Sequence, residues 1–463
     1  MTKSTAAKIG NYRWVIAGLL LFSTTVNYMD RNVIGFLKEY FCSPEGFGWS
    51  NSDFSYVTSV FTFFYAGFTL LSGIVIDKIG TKLGLAFSLI TWSVFGVLNA
   101  FVGATTYMHM AVRSLFGAGE AGNFPASIKT VAEWFPKKER ALATGIFNSG
   151  SNIGAMIAAL FVPWCMVYFT GDHMILGLKG WQMAFILTGV TGFIWLIFWF
   201  TIYGNPKQLV AKGKLSQAEF DYIHSDADEN AAAAASLAAG KTEKVPWFQL
   251  LKYRQTWSFV FGKFMTDGIW WFLLFWLPDY LQKQFNMTPQ QVMWPTFTVF
   301  GIAIFGSVFG GSVPMFFMNK GMEAYKARMR AMLLIAIVPV SLLLTQYFGN
   351  VEIFGSSASL LAVAIICLGG AAHQAWSANL FTTVSDMFPK KAVGSVTGIG
   401  AFAGGIGGVL VQLLAGALTD HFEALGDKKV AYVIMFAVCA FAYLIAWTVM
   451  KLLVPKFKII SDL

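Results

Sequence analysis

Apolar runs of helix length alternate with short polar segments along almost the whole chain. A transmembrane helix needs about 20 consecutive apolar residues, and the residue-by-residue alternation typical of membrane β-strands is absent. We number the runs as spans 1 to 12, and they lie at about residues 12–37, 54–77, 83–104, 106–132, 140–169, 181–203, 256–284, 289–318, 327–348, 355–385, 392–419 and 430–454. The pattern predicts an all-α membrane protein with twelve transmembrane helices.

The composition of the chain supports this prediction. Of its 463 residues, 56% are hydrophobic and only 12% are charged, whereas soluble domains are about 25% charged. So apolar a chain is neither disordered nor a water-soluble fold. The net charge of +9 comes from short basic clusters between the spans, so it indicates membrane topology and not a nucleic-acid partner. Four scattered cysteines predict no disulfide framework and no metal site.

Lysine and arginine concentrate in the loops on one side of the predicted membrane. That side holds the N-terminal segment, the loops after spans 2, 4, 8 and 10, the polar segment 204–255 and the C-terminal lysines. Because cytoplasmic loops are enriched in basic residues, we expect both termini in the cytoplasm. The even number of spans agrees with this orientation.

A sequence repeat divides the chain into two similar halves. The segment FPKK at residues 135–138 recurs at residues 388–391, an offset of 253 (388 − 135), and the same offset aligns residues 144–146 with 397–399 without a gap. Six spans separate the copies, so both have the same orientation. We predict two parallel six-helix bundles, 1–203 and 256–463, joined by a cytoplasmic linker at 204–255. Transporters built in this way hold substrate between the halves near the membrane midplane.

Ionisable residues inside the spans are the main functional candidates, because each costs roughly 2.5–3.5 kcal/mol at a helix centre. Span 1 carries Asp30 and Arg31, and span 4 carries Arg113 and Glu120 two turns apart on one face. Asp30 and Arg113 lie at similar depth and could face each other. We therefore predict that these four residues line one polar cavity. The alternative is a static pair of buried salt bridges, one between Asp30 and Arg113 and one involving Glu120, that only holds spans 1 and 4 together.

Two acids beside two arginines suit the coupled transport of a proton and an anion. A desolvated carboxylate can take up a proton, so Asp30 and Glu120 are candidates for proton coupling. Guanidinium groups keep their charge and bind carboxylates bidentately, so Arg31 and Arg113 are candidates for substrate binding. The coupling ion would be the proton, and no further cofactor is expected.

The second half carries fewer ionisable candidates for substrate binding. Lys263 and Asp267 are four residues apart on span 7, so they either neutralise each other or contact substrate. His373 is the repeat image of Glu120, and it either joins the proton path or forms a hydrogen bond within the cavity.

Polar and aromatic side chains could recognise the rest of a sugar-like substrate. The amide of Asn379 can donate and accept hydrogen bonds, as sugar hydroxyls require. Tyr65 in span 2 and Trp376 in span 10 could stack on a sugar ring, as could one or two of the aromatic residues between positions 270 and 276.

Two glycine motifs have different interpretations. The loop after span 2 contains Gly73, Asp77, Lys78, Gly80 and Lys82, which we interpret as a conformational latch; the alternative is a charged turn between helices. The run GAGEAG at 117–122 matches a dinucleotide fingerprint, but no strand precedes it and it lies inside a span. Its small residues instead predict close helix packing.

These motifs resemble those of a known transporter family. The loop after span 2 is similar to the signature loop of the major facilitator superfamily, and NYMDR at 27–31 resembles a motif of its anion:cation symporter family. The blocks 262–281 and 372–394 look like bacterial hexuronate transporters. The resemblance implies proton binding at Asp30 and Glu120, substrate-carboxylate contact at Arg31, and Arg113 coupling the two. Gly268 stands where the family would have proline.

The resemblance and the residues together predict a proton-coupled symporter that imports a hexuronate, glucuronate or galacturonate, across the bacterial inner membrane. We expect a monomer and no enzymatic activity, because no nucleophile–base pair is recognisable. Three alternatives stay open: a symporter for galactonate or glucarate, an organic-phosphate exchanger, and a sensor that binds the sugar acid without moving it.

Overall fold

A computed structural model describes residues 9–225 and 246–460, and each predicted span is helical in it. The span helices are Tyr12–Cys42, Asn51–Ile79, Thr81–Leu98, Thr106–Glu120 with Asn123–Trp134, Lys137–Tyr168, Gly180–Ile202, Arg254–Phe285, Pro289–Met318, Ala324–Ile337 with Thr345–Phe348, Ala358–Met387, Lys390–Ala424 and Lys428–Leu453. Short helices are Pro206–Ala211, Gln217–Ile223, Trp247–Leu250 and Val351–Phe354. The described residues contain no β-strand, only an isolated bridge between Ile175 and Leu178. The all-α prediction is confirmed.

Two spans are interrupted along their length. Span 4 breaks between Glu120 and Asn123, next to Gly122, where added side-chain bulk would collide with Ser88 of span 3. Span 9 changes to a 3-10 segment, Val338–Leu344, that contains Pro339 near its start. Proline has no N–H group and clashes with the preceding turn, which explains why the regular α-helix stops there.

Ten helices are long and apolar enough to cross a membrane on length and composition alone. The helices of spans 1 and 4 are not among these ten. These are the two spans that carry Asp30, Arg31, Arg113 and Glu120, and all four side chains are buried within the protein. The bundle therefore keeps these four ionisable side chains away from lipid, as the cost of charge in a membrane requires.

The two halves repeat the same local structure at the predicted positions. Phe135 and Phe388 end spans 4 and 10 with the same extended backbone, and each donates its N–H to the carbonyl four residues earlier. Glu133 accepts a hydrogen bond from Thr81 at the start of span 3. Its repeat counterpart Asp386 accepts one from Arg328 at the start of span 9. The parallel six-helix repeat is confirmed.

Glycines bring the helices of each half into close contact. In span 4, Gly117 lies against the backbone of Phe61 in span 2, and Gly119 lies against Trp92 in span 3. The glycine run therefore acts in helix packing, as predicted. Between the halves, span 2 packs along span 11, span 5 along span 8 and span 1 along span 7.

The described part of the linker docks on the membrane face where the first and last described residues, 9 and 460, lie, here called the terminal face. Glu219 of the second linker helix is buried and accepts hydrogen bonds from the backbone and side chain of Arg13. Arg13 also forms an ion pair with Glu139 at the start of span 5, 2.8 Å apart. The alanine run at 231–235 lies outside the described residues.

Candidate functional site

An ion pair between spans 1 and 4 forms the centre of the site. Arg31 Nε lies 2.8 Å from Glu120 Oε2, and both side chains are at most 2% exposed. Glu120 is the last residue of its helix segment, where the helix dipole is unfavourable for a negative charge. The guanidinium of Arg31 therefore supplies the charge that stabilises this buried carboxylate.

Four aromatic rings surround the guanidinium of Arg31, and we call them the aromatic box. Its carbon Cζ lies 4.3 Å from the ring centre of Tyr28 and 4.4 Å from that of Tyr65. The rings of Trp271 and Phe61 follow at 5.2 and 5.7 Å. Trp271 belongs to span 7, so the second half contributes directly to the surroundings of Arg31.

The alternative of a static salt bridge between Asp30 and Arg113 is wrong. These two described side chains form no ion pair within 4 Å; the guanidinium of Arg113 instead packs near the rings of Phe116 and Phe185, 4.8 and 5.3 Å away. None of its three nitrogens has a hydrogen-bond partner. The salt bridge between spans 1 and 4 is formed by Arg31 and Glu120 instead.

Asp30 is a buried acid without a direct partner. Neither of its carboxylate oxygens has a hydrogen bond, and the residue is 2% exposed. The charges of Glu120 and Arg113 and the polar groups of Thr188 and Trp92 act on it from nearby. The structure therefore brings Asp30, Arg31, Arg113 and Glu120 close together, with Arg31 and Glu120 as the ion pair, and the polar cavity stays a prediction.

In the second half, Lys263 and Asp267 pair with each other. Lys263 Nζ lies 2.6 Å from Asp267 Oδ2, and Asp267 keeps 18% of its side chain exposed. The ammonium group also lies 4.6 Å from the ring centre of Phe381. Of the two alternatives, the structure shows mutual neutralisation, and substrate contact by either residue stays a prediction.

His373 forms its contacts within the second half. Its Nδ1 lies 2.8 Å from the hydroxyl of Tyr443, and its ring stacks on Trp270 with 5.0 Å between centres. Trp376 is fully buried and packs edge-on against Tyr443. The structure does not bring these residues to the Arg31–Glu120 pair.

Asn379 uses its amide nitrogen for the protein backbone. Nδ2 donates to the carbonyl oxygens of Gly310 and Ala375, both within 2.9 Å, while Oδ1 has no partner. One acceptor is therefore left for a ligand hydroxyl. Substrate binding by Asn379 stays a prediction.

The predicted latch loop is a tight turn joined to span 6. Gly80 has a φ of +82°, which favours glycine, and Lys82 Nζ donates to the carbonyl of Tyr203 at 2.7 Å. Gly73 and Lys78 lie in the last turns of span 2, and the side chain of Asp77 lies outside the described residues. The latch role is untested.

A second charged cluster lies at the membrane face opposite the termini, where sequence reasoning found no site. Asp279 is fully buried and pairs with Lys38 at 2.7 Å, and it accepts a hydrogen bond from Tyr432. Lys283 lies 2.7 Å from Glu423. Because Lys38 belongs to span 1 and the others to spans 7, 11 and 12, this cluster ties the two halves together.

Asn51 and Asp420 extend this cluster between spans 2 and 11. Asp420 accepts hydrogen bonds from the side chain and backbone of Asn51 at 2.9 and 2.8 Å. We call the seven residues the opposite-face network, and they are Lys38, Asn51, Asp279, Lys283, Asp420, Glu423 and Tyr432. The sequence did contain one indication of this network, because Asp279 is an ionisable residue that follows Pro278 inside an apolar span.

Comparison with known sequences gives consistent results. The family model described as Major Facilitator Superfamily matches residues 20–412. The hexuronate transporter of Escherichia coli K12 is 29% identical over 96% of this chain and 95% of its own length. The galacturonate transporter of Dickeya chrysanthemi is 31% identical over 67% of this chain and 84% of its own. The D-galactonate transporter of Escherichia coli O6:H1 is 28% identical over 90% of this chain and 91% of its own length.

Solved structures with the same architecture are more distant in sequence. A bacterial homologue of the human lysosomal transporter Spinster, in an inward-facing and occupied conformation, has a TM-score of 0.73. It is 16% identical over 97% of this chain and 98% of its own. A D-xylose–proton symporter has a TM-score of 0.68 at 16% identity, covering 96% of this chain and all of its own. At these identities the likeness shows a shared fold.

Proposed function

This chain belongs to the major facilitator superfamily, a family of transporters and not of enzymes, and we propose that it imports a hexuronate together with protons. The substrate would be glucuronate or galacturonate, because transporters named for these sugar acids are among its relatives. We further propose a bacterial inner-membrane location with both termini in the cytoplasm. The protein would act as a monomer, with the proton as its coupling ion and no nucleic-acid partner.

The observation that carries this proposal is the Arg31–Glu120 ion pair, with the unpartnered Asp30 beside it. While Glu120 is ionised it occupies Arg31 Nε, so Arg31 cannot offer both of its donor edges to a substrate carboxylate. Protonation of Glu120 removes its charge and releases the guanidinium for a bidentate bond. Proton uptake and anion binding then support each other at one residue.

Asp30 fits the same scheme as a second proton acceptor. An ionised carboxylate without hydrogen bonds is costly inside a protein, and Asp30 has no ion-pair partner, only the nearby charge of Arg113 and the polar groups of Thr188 and Trp92, to offset that cost. Its protonation would leave Glu120 as the remaining counter-charge of Arg113 and so favour an anion nearby. Arg113 would thus link the two acids to substrate binding without itself contacting Asp30.

The opposite-face network supports alternating access. Its ion pairs close the membrane face opposite the termini in this conformation, with Asp279 and Lys38 fully buried. Access to Arg31 from that face requires the halves to separate there and the network to open. Under the proposed orientation the structure is closed toward the outside, and release would take place at the terminal face.

Uptake of labelled galacturonate and glucuronate into proteoliposomes tests the proposal, with and without an inward proton gradient. We expect accumulation above the external concentration only with the gradient. Equal, slow equilibration in both conditions would contradict proton coupling. Competition separates the alternatives: stronger inhibition by galactonate, glucarate or phosphate esters would reassign the substrate, and binding without flux would indicate a sensor.

A further inference from the structure

Trp271 is the place where the second half meets the charged centre of the first. Its ring centre lies 5.2 Å from Cζ of Arg31. It also packs edge-on against Tyr65 and Phe61, with ring centres 5.9 and 6.0 Å apart. A substrate whose carboxylate is held by Arg31 must therefore lie next to this indole when the halves close around it.

Two side chains of span 7, Trp271 and Asp267, pack against glycines of span 11, and we call these two side chains the span 7 wall. A larger residue at either glycine would displace the wall. A Cβ at Gly408 would lie 2.5 Å from Cδ1 of Trp271, and one at Gly404 would collide with the carboxylate of Asp267. The missing side chains of both glycines therefore leave the space that Trp271 and Asp267 fill. We call the space at Gly408 the Gly408 notch. Trp271 and Asp267 are one turn apart on span 7, about 6 Å along its axis.

The span 7 wall could contact a sugar in two ways, through the indole face of Trp271 and through the carboxylate of Asp267. The face of an indole carries partial negative charge and attracts positively polarised groups, such as the C–H groups on the flat side of a pyranose ring. One turn away, the Asp267 carboxylate is partly exposed and can accept hydrogen bonds from hydroxyl groups. A closed sugar ring offers both features in a fixed arrangement. An open-chain sugar acid offers hydroxyls along a flexible chain and has no flat C–H face.

We propose that Trp271, seated in the Gly408 notch, selects sugar acids in their closed pyranose form over open-chain sugar acids. This inference rests on the proposed function and specifies its substrate class. Galacturonate and glucuronate retain the aldehyde that closes the ring. Galactonate and glucarate lack that aldehyde and stay open. Arg31 of the first half would thus bind the substrate carboxylate, and the indole of Trp271 in the second half would determine which sugar acid is accepted.

The test compares both substrate classes in proteoliposomes that contain Trp271→Ala, Trp271→Phe, Gly408→Ala or the unchanged protein. Labelled galacturonate uptake gives the half-saturating concentration and the maximal rate. Unlabelled galactonate, added as a competitor, gives its own inhibition constant. Trp294→Ala is the matched control, because Trp294 lies on span 8 with 64% of its surface exposed.

We expect Trp271→Ala to raise the half-saturating galacturonate concentration about tenfold, with the inhibition constant of galactonate nearly unchanged. Trp271→Phe keeps an aromatic face and should retain most of the affinity, whereas Gly408→Ala displaces the indole and should weaken galacturonate binding. Equal losses for both classes, or no loss for galacturonate, would overturn the inference. The galactonate constant also shows that the variant is folded. If the unchanged protein transports neither class, the proposed function itself fails.

Discussion

Arg31 has one carboxylate and four aromatic rings around its guanidinium, and this environment decides what it can bind next. Tyr28 and Tyr65 lie closest to the guanidinium carbon, and Glu120 holds Nε at 2.8 Å. A buried guanidinium needs a counter-charge, since removing one partner of such a pair costs about 3–5 kcal/mol. A substrate carboxylate can therefore replace Glu120, but it cannot simply be added to it.

Glu120→Gln should separate substrate exchange from proton-driven accumulation. The amide is neutral at every pH, so the variant mimics the protonated acid and leaves Arg31 available to substrate. In proteoliposomes we expect galacturonate counterflow to persist, while the accumulation driven by a proton gradient falls to the equilibrium level.

The control for this prediction is Glu323→Gln. Among the described residues Glu323 pairs with Lys326 alone, near the terminal face, and both side chains are more than half exposed, so its loss should change neither activity. Full accumulation by Glu120→Gln would exclude Glu120 from proton coupling.

At this scale the sequence predicts which residues form the site but not how they pair. Asp30 and Arg31 are neighbours, so they point about 100° apart around span 1. Depth along the helix does not decide which of them faces span 4. Helix rotation decides it, and rotation depends on the packing of the whole bundle, including Gly154 of span 5 against the backbone of span 1. The repeat and the charges were visible in one sequence, whereas that rotation was not.

The helices of this protein are positioned by glycines as much as by apolar side chains. Span 8 shows the contrast within two turns, because Gly306 lies against the backbone of Ala371 in span 10 while Gly311 has open space around it. In a membrane the hydrophobic effect does not drive helices together, so close backbone contact supplies much of their attraction. Span number and length follow from hydropathy, but these contacts depend on three-dimensional packing.

Alanine substitution in span 8 should have opposite effects at these two glycines. Gly306→Ala places a methyl group against the backbone of Ala371 and should destabilise the bundle by about 1–3 kcal/mol, as overpacking does. Gly311→Ala adds the same methyl group in open space. It should leave stability unchanged or raise it by up to about 1 kcal/mol, because alanine is the better helix former. Thermal unfolding in detergent measures both, and equal melting temperatures would contradict this account of the span 8–span 10 contact.

The molecule as a whole is held closed at one face by charge. The opposite-face network joins spans 1 and 2 of the first half to spans 7, 11 and 12 of the second through Asp279, Glu423 and Asp420. Lys38 directly follows span 1 as the sequence defines it (about 12–37), but the structure places it inside the first helix and buries it completely. Its partner Asp279 lies on span 7, 241 residues later (279 − 38), and one sequence contains no signal that joins them.

Asp279→Asn should open this face. The substitution leaves the buried ammonium of Lys38 without its counter-charge, and the most direct relief is separation of the halves with entry of water. Ser55, 1% exposed and packed against span 11, is a suitable reporter once changed to cysteine in a Cys42→Ser background. We expect its rate of maleimide labelling to rise at least about fivefold, which corresponds to a shift of roughly 1 kcal/mol.

Glu323→Gln serves again as the control, since it breaks an exposed ion pair of little energetic value. Its labelling rate at position 55 should equal that of the unchanged protein. An unchanged rate in Asp279→Asn would show that packing between spans 2 and 11, not charge, keeps this face closed.

The four buried ionisable residues of the first half have an electrical consequence. Asp30 and Glu120 balance Arg31 and Arg113, so with all four ionised this centre carries no net charge. An empty carrier can then reorient without this centre moving charge across the membrane voltage, which acts at about 2.3 kcal/mol per charge per 100 mV. A monoanion with one proton keeps the balance, and a second proton adds one positive charge. Voltage would then act only on the loaded carrier, and it would drive import without slowing the return of the empty one.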